Sequence, residues 1–108
     1  MIRATVTAKI YACARLRPAP TGLYAVAFAR SRDPDGTLQV VRLWTADPEL
    51  METLLWCEAG AAVTASGRLR ADLCVPVGGT EQRPVIDLRI ESLEVASSLA
   101  LWFPPRAA

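Results

Sequence analysis

The sequence has no histidine, a single lysine and only seven aromatic side chains among its 108 residues. Without histidine, the commonest general base and the commonest metal ligand are missing. The serines and cysteines therefore have no partner for nucleophilic catalysis, and the carboxylates are scattered along strands and turns. No Gly-rich phosphate loop precedes the predicted helix. These absences predict a protein that is not an enzyme and that holds no metal or other cofactor.

Cysteine is scarce as well, and its spacing excludes the usual binding motifs. Cys13, Cys57 and Cys74 form no CxxC pair, so we interpret them as small hydrophobic residues in a reducing compartment. Residues 1–11 lack the apolar run of a signal peptide, and no run is long enough to span a membrane. We expect a cytoplasmic, nucleoid-associated protein with no membrane contact.

The charges almost cancel, but the cations are of one kind. Twelve basic and eleven acidic side chains give a net charge of +1, and eleven of the twelve cations are arginine. The arginine guanidinium can pair with phosphate and stack on a base. A GC-rich genome produces the same bias, so composition leaves both explanations open.

Alternating apolar and polar residues dominate the chain and predict strands. We expect strands at 2–13, 23–32, 37–45, 61–73 and 85–95, loops at 15–22 and 74–84, a turn at 33–36 and a helix at 47–58. Asp47 as N-cap and Pro48 in the first turn favour that helix. Gly67 in mid-strand predicts a bulge or bend.

This order predicts an all-β fold, the five-stranded OB-fold barrel with one short helix between strands 3 and 4. A small α+β sandwich is the alternative. We expect the barrel to comprise residues 1–96 and a short apolar tail to comprise 97–108. Tyr24 and Phe28 are assigned to the core, and Trp56 and Cys57 to packing around the helix.

The third strand carries the clearest candidate site. If Val41 and Leu43 point inward, Arg42 and Trp44 face outward and form a stacking platform beside a phosphate contact. The alternative is a Trp44 buried against a second subunit or under the helix. The other candidate phosphate contacts are Arg3, Lys9, Arg30, Arg32, Arg68 and Arg70. A solvated or interface face is the alternative for these residues.

Residues 40–70, VVRLWTADPELMETLLWCEAGAAVTASGRLR, resemble the bacterial single-stranded DNA-binding protein family. That family has a strand ending in an aromatic, a short helix, and a strand ending in G-x-L-R, here Gly67 to Arg70. The likeness extends over about residues 2–95. It implies an OB-fold, a homo-oligomer and sequence-independent binding of single-stranded DNA, with Trp44 as the stacking residue and Arg3, Arg68 and Arg70 at basic positions.

Three departures from the family pattern modify this expectation, and one of them is that the first strand has Ala8 and Lys9 where the family favours a glycine nearby. The places of the family's other stacking aromatics hold Leu38, Ser31 and Cys74, and residues 96–108 lack the family's acidic, partner-recruiting tail. With one stacking residue and more reliance on arginine, we expect weaker and more salt-sensitive binding.

Our leading interpretation is a homodimer or homotetramer that coats single-stranded DNA in replication, recombination or mobile-element transfer. Stacking and phosphate contacts serve RNA equally well. The alternative is a protein-interaction module of a primosome-type assembly, resembling primosomal replication protein N, with weak nucleic-acid binding. In that case Leu38 and Val40 face a subunit or partner. We expect the tail residues Trp102 to Pro105 to pack on the barrel or a neighbouring subunit, or to recognise a partner.

Overall fold

A computed structural model describes residues 2–96. The elements are β1 (Ile2–Ala19), β2 (Gly22–Arg32), β3 (Leu38–Thr45), α1 (Pro48–Trp56), β4 (Ala62–Cys74) and β5 (Arg83–Val95). The strands close a barrel in the order β1-β2-β3-β5-β4, with only β3 and β5 parallel. This arrangement confirms the predicted OB-fold. The predicted tail, 97–108, lies outside the described residues, so the boundary after residue 96 stays a prediction.

The barrel interior is filled by small and branched aliphatic side chains, and α1 covers one end of it. Leu54 is the one α1 side chain that is fully buried. The strand residues of the core are Ala8, Ile10, Ala25, Ala27, Ala29, Val41, Leu43, Val63, Ala65, Leu88 and Ile90. Burial of this continuous apolar surface is the main term that stabilises the fold.

Two hairpins extend beyond the closed part of the barrel. β1 pairs with β4 through Lys9, and from there to Ala19 with β2 alone. The loop predicted at 15–22 is therefore wrong, because both strands continue into a tight turn. Prolines are tolerated there, since this part of β1 has a strand on one side only. We call residues 15–23 the first hairpin and residues 72–85 the second hairpin.

The local signals for the helix and the bulge are confirmed. The Asp47 Oδ2 atom accepts a hydrogen bond from the backbone N–H of Leu50 at 3.1 Å, as an N-cap does. The β4–β5 register shifts between Ser66 and Gly67. A Cβ at position 67 would overlap the backbone carbonyl of Arg89, so only glycine fits this crossing of the strands.

Three assignments to the core or to packing are wrong. Tyr24 and Phe28 lie half-buried on the outer face of β2, because the intervening alanines are fully buried and fill the interior. Trp56 is 79% exposed at the end of α1, whereas Cys57 is buried as expected. A narrow barrel has room for only one face of β2, and the face that fits is the small one. Among the described residues, the single helix α1 is too short to cross a bilayer.

Candidate nucleic-acid interface

An open groove of about 710 Å³ runs across the outer face of β2, β3 and β5. Its floor is formed by outward side chains of these strands, and the two hairpins supply its sides. The first hairpin contributes Arg17, Ala19, Thr21 and Leu23; the connection within the second contributes Val75 and Val77. The three valine and leucine side chains are each at least half exposed. The sides of the groove therefore present apolar surface to a ligand.

Three aromatic side chains lie on the groove floor. Tyr24 and Trp44 meet edge to face, with ring centroids 6.1 Å apart and planes at 79°. Phe28 lies further along β2 and its ring is 6.3 Å from that of Tyr11 on β1. The groove floor thus presents the rings of Tyr24 and Phe28 as well as the indole of Trp44, whereas the sequence pointed to Trp44 alone.

A buried carboxylate fixes the position of the Trp44 ring. Asp87 is 5% exposed and is one of two buried polar residues in the described part of the chain. Its Oδ2 atom accepts a hydrogen bond from Trp44 Nε1 at 3.0 Å, and its Oδ1 atom accepts one from Arg42 Nε at 2.7 Å. Because both oxygens are engaged on the groove floor, Asp87 holds the indole edge and the guanidinium in a fixed relation.

The carboxylate network extends to the second hairpin. Arg42 Nη2 also contacts Asp72 Oδ2 at 2.7 Å, and Arg70 lies 3.4 Å from Asp72 and 3.7 Å from Asp87. Burial opposes the charge on Arg42, but its hydrogen bonds to the two carboxylates leave its pKa raised. The backbone N–H of Leu73, followed by the Arg42 hydrogen bond, lowers the pKa of Asp72. Arg42 and Asp72 are therefore charged at neutral pH, and Arg42 is held by two carboxylates of the protein itself.

The remaining cations of the groove are accessible. Arg17 and Arg89 line it and are exposed, and the Arg70 side chain is 72% exposed despite its ion pairs. The Arg89 guanidinium lies 5.3 Å from the centroid of the Trp44 ring, in cation–π range. Four arginines and one carboxylate line the groove, so its electrostatic potential favours an anionic ligand.

Three of the predicted cations collect in a neighbouring depression of about 460 Å³. Lys9, Arg30 and Arg32 line it together with Tyr11. The Arg30 guanidinium covers the Tyr11 ring at 4.1 Å from the centroid. Phe28 lines the groove and Tyr11 lines the depression, and these two rings are neighbours. The depression therefore adjoins the groove beyond Phe28.

Arg3 and Arg68 lie on the opposite side of the groove. The strand registers place Arg3 beside Arg68, Arg68 beside Arg89, and Arg89 beside Trp44, in one row across β1, β4, β5 and β3. Arg3 is paired with Glu91 at 2.6 Å, but its side chain is 63% exposed. The predicted site residues thus occupy three adjoining regions, of which the groove contains Trp44, Arg42 and Arg70.

Sequence reasoning missed several residues of the groove. It did not single out Arg17, Arg89 or Asp87, and it placed Tyr24 and Phe28 inside. A signal for the two aromatics was available in their alternation with alanines, which offered a second apolar face. No local signal marks Asp87 or Arg89, because the parallel pairing of β3 with β5 brings them beside Arg42 and Trp44.

No protein-family model and no curated protein sequence matches the chain. Solved structures do resemble it. The small single-stranded DNA-binding protein from Streptomyces coelicolor gives a TM-score of 0.64 at 17% identity, covering 91% of this chain and 96% of that one. The mitochondrial single-stranded DNA-binding protein Rim1 from S. cerevisiae gives 0.69 at 11% identity, with 89% and 95% covered.

A third similar structure is the dimeric N-terminal domain of PriB from Thermoanaerobacter tencongensis, with a TM-score of 0.61 and 14% identity. It covers 89% of this chain and 97% of that one. At these identities the likeness shows a shared OB-fold, which confirms the fold implied by the resemblance in the sequence. Within residues 2–96 no three His, Cys, Asp or Glu side chains are grouped to hold a metal ion.

Proposed function

We propose that the groove binds single-stranded DNA without sequence preference. The observation that carries this proposal is the floor of Tyr24, Phe28 and Trp44 in an open groove whose lining includes four arginines of the described residues. Every base has a π-face, and stacking on an aromatic contributes about 1–3 kcal/mol per base whatever the sequence. Duplex DNA hides those faces, so such a floor selects unpaired strands.

The roles of the cations follow from their contacts. Arg17, Arg70 and Arg89 are exposed along the groove and contact phosphates in our proposal, while Arg42 positions Trp44 through the shared Asp87. A longer strand continues toward Arg30 and Lys9 at one end and toward Arg68 and Arg3 at the other. The structural similarity to two single-stranded DNA-binding proteins supports this assignment. In this proposal the protein is cytoplasmic and associated with the nucleoid. It binds DNA and does not catalyse a reaction.

A fluorescence titration with oligo-dT tests the proposal. Base stacking on Trp44 is expected to quench tryptophan emission, and binding is expected to weaken as salt rises. If three to five phosphates are neutralised, log K falls with log salt with a slope of about −2 to −3.5. Trp44→Ala is expected to weaken binding by about 5- to 150-fold, as loss of one stacked base does. Trp56→Ala, which lies outside the groove, serves as the matched control and is expected to bind normally. Absence of binding at low salt would refute the proposal.

The alternative of a primosome-type interaction module makes a different prediction for the same variant. There, Trp44 belongs to a contact between proteins, and Trp44→Ala changes the assembly rather than the DNA affinity. Trp44 is fixed by Asp87 and faces an arginine-rich groove, which favours the DNA-binding role. Light scattering of Trp44→Ala beside its DNA titration separates the two functions.

We also propose that the chain acts as a homodimer or homotetramer. Ile2 and Leu38 are 63% and 52% exposed at the ends of their strands, and such apolar surface is commonly covered by a second subunit. The similar PriB domain is dimeric. Light scattering is expected to give a mass of two or four chains, and a monomer at all concentrations would contradict this proposal.

A further inference from the structure

The end of α1 presents an apolar patch that the DNA-binding groove does not explain. Trp56 is 79% exposed, Leu55 41% and Val95 39%. A single exposed apolar residue is common, but several that adjoin one another and include a tryptophan are typical of a contact surface. Trp56 and Val95 line a depression of about 370 Å³ whose residues are all absent from the groove. We call this depression the helix-end site.

The chain leaves the described part of the protein at this same place. Val95 is the last residue of β5, and the backbone N–H of Ala96 donates to the carbonyl of Ala62 at 2.9 Å, which holds the strand end in place. Residues 97–108 follow directly. Trp102 is seven residues beyond Val95, so an extended chain allows it to reach about 23 Å. Since the nine residues of α1 span only about 13 Å, the whole site is within reach.

The chemistry of that segment matches the site. Residues 99–103 are LALWF, five apolar side chains in succession, and a short apolar run of this kind is unfavourable in water. The segment has one charged side chain, Arg106. Among the described residues, the helix-end site has one charged lining residue, the carboxylate of Glu52, and α1 contains no basic residue.

We propose that the chain's own segment 99–106 docks on the helix-end site. The apolar side chains of residues 99–103 cover Trp56 and Val95, and Arg106 faces Glu52. The segment then lies at the end of the barrel that α1 covers, away from the groove. The proposal does not depend on the proposed DNA binding.

Acrylamide quenching of Trp56 in the full chain tests the proposal. The protein has three tryptophans, and Trp44→Phe with Trp102→Phe leaves Trp56 as the only indole emitter while keeping an aromatic ring at position 102. Adding Leu101→Ser and Phe103→Ser is expected to raise the quenching constant roughly threefold, as an indole passes from about a quarter exposed to 79% exposed. The control pair, Leu16→Ser and Leu23→Ser, alters exposed apolar residues of the first hairpin and is expected to leave the constant unchanged.

The remaining outcomes overturn the proposal in distinct ways. Equal, high quenching with and without the serine substitutions means that the site is uncovered in the isolated protein and awaits another partner. Protection that disappears on dilution means that a second copy supplies the segment. Circular dichroism of each variant establishes that the barrel is folded. In a chain that keeps Trp44, Leu101→Ser with Phe103→Ser is expected to leave the DNA titration unchanged.

Discussion

Replacing Asp87 by asparagine separates positioning of the stacking residue from simple attraction of DNA. Within residues 2–96, Asp87 is the one carboxylate side chain that lines the groove. If charge alone governed affinity, removing it would strengthen DNA binding. If its hydrogen bond to Trp44 sets the stacking surface, removing it weakens binding even though the net charge becomes more positive. The two explanations therefore predict opposite signs.

The structure gives the size of each effect. A unit charge about 8 Å from a phosphate changes the binding free energy by about 0.5 kcal/mol in water. Because the groove is open to solvent, the dielectric constant of water is the appropriate one. Asparagine has only one side-chain oxygen, so it can accept a hydrogen bond from Trp44 Nε1 or from Arg42 Nε, but its N–H₂ group cannot accept the other. One of the two hydrogen bonds that position Trp44 is therefore lost. Loss of the stacking surface costs about 1–3 kcal/mol. We therefore expect a net loss of about 0.5–2.5 kcal/mol, or a Kd raised about 2- to 60-fold.

The same substitution is expected to destabilise the fold. It removes a charge-assisted hydrogen bond from a buried group, which costs about 1.5–3 kcal/mol. Arg42 keeps its contact with Asp72, so the loss stays below that of a fully orphaned buried charge. For a domain of this size, Tm should fall by roughly 10 °C. Thermal unfolding followed by circular dichroism measures this shift.

Asp72→Asn is the matched control for the binding measurement. It makes the same change of charge and also contacts Arg42, but it has no hydrogen bond to Trp44. We expect its Kd for oligo-dT, measured by fluorescence anisotropy at low salt, to be unchanged or about twofold lower. If Asp87→Asn also binds more tightly, with Trp44 quenching intact, the positioning role is refuted.

Three further predictions concern the scaffold. Gly67→Ala would overlap the Arg89 backbone and should cost about 3 kcal/mol or more in chemical unfolding, and a wild-type midpoint would contradict the assigned strand crossing. The backbone N–H of Leu73, followed by Arg42, lowers the pKa of Asp72, so its ionised side chain stabilises the folded state above pH 3.8. This stabilisation is lost as the pH falls through the lowered pKa, and acid unfolding of Asp72→Asn should therefore depend less on pH in that range. Burial raises the pKa of Cys57, so thiol reagents at neutral pH should modify it last among the cysteines, and early labelling would refute its burial.

The strand pattern, the N-cap and the bulge are local features, and the sequence predicts them well. Alternation reports which residues share a face, Asp47 followed by Pro48 marks a helix start, and a glycine within a strand marks a bulge. The proline-containing first hairpin was predicted as a loop, because local chemistry does not show that β1 has only one neighbour there. Pairing partners decide whether a proline interrupts a strand.

The groove itself depends on long-range packing, which local patterns do not contain. Both faces of β2 are apolar, and only the narrow interior of the barrel selects the alanines and leaves Tyr24 and Phe28 outside. Arg42 and Asp87 are 45 residues apart and meet only through the parallel β3–β5 pairing. Trp44 was predicted correctly to face outward because Val41 and Leu43 fix the phase of β3.

Photo-crosslinking most directly tests the central claim that a single strand lies along the aromatic floor. An oligonucleotide containing 5-iodo-deoxyuridine is irradiated with the protein, and the modified peptides are located by mass spectrometry. We expect crosslinks at Trp44, Tyr24 and Phe28, and we expect excess unlabelled oligo-dT to suppress them. Crosslinks confined to the hydroxyl-bearing face of β1 and β4, around Thr5 and Ser66, would contradict the account.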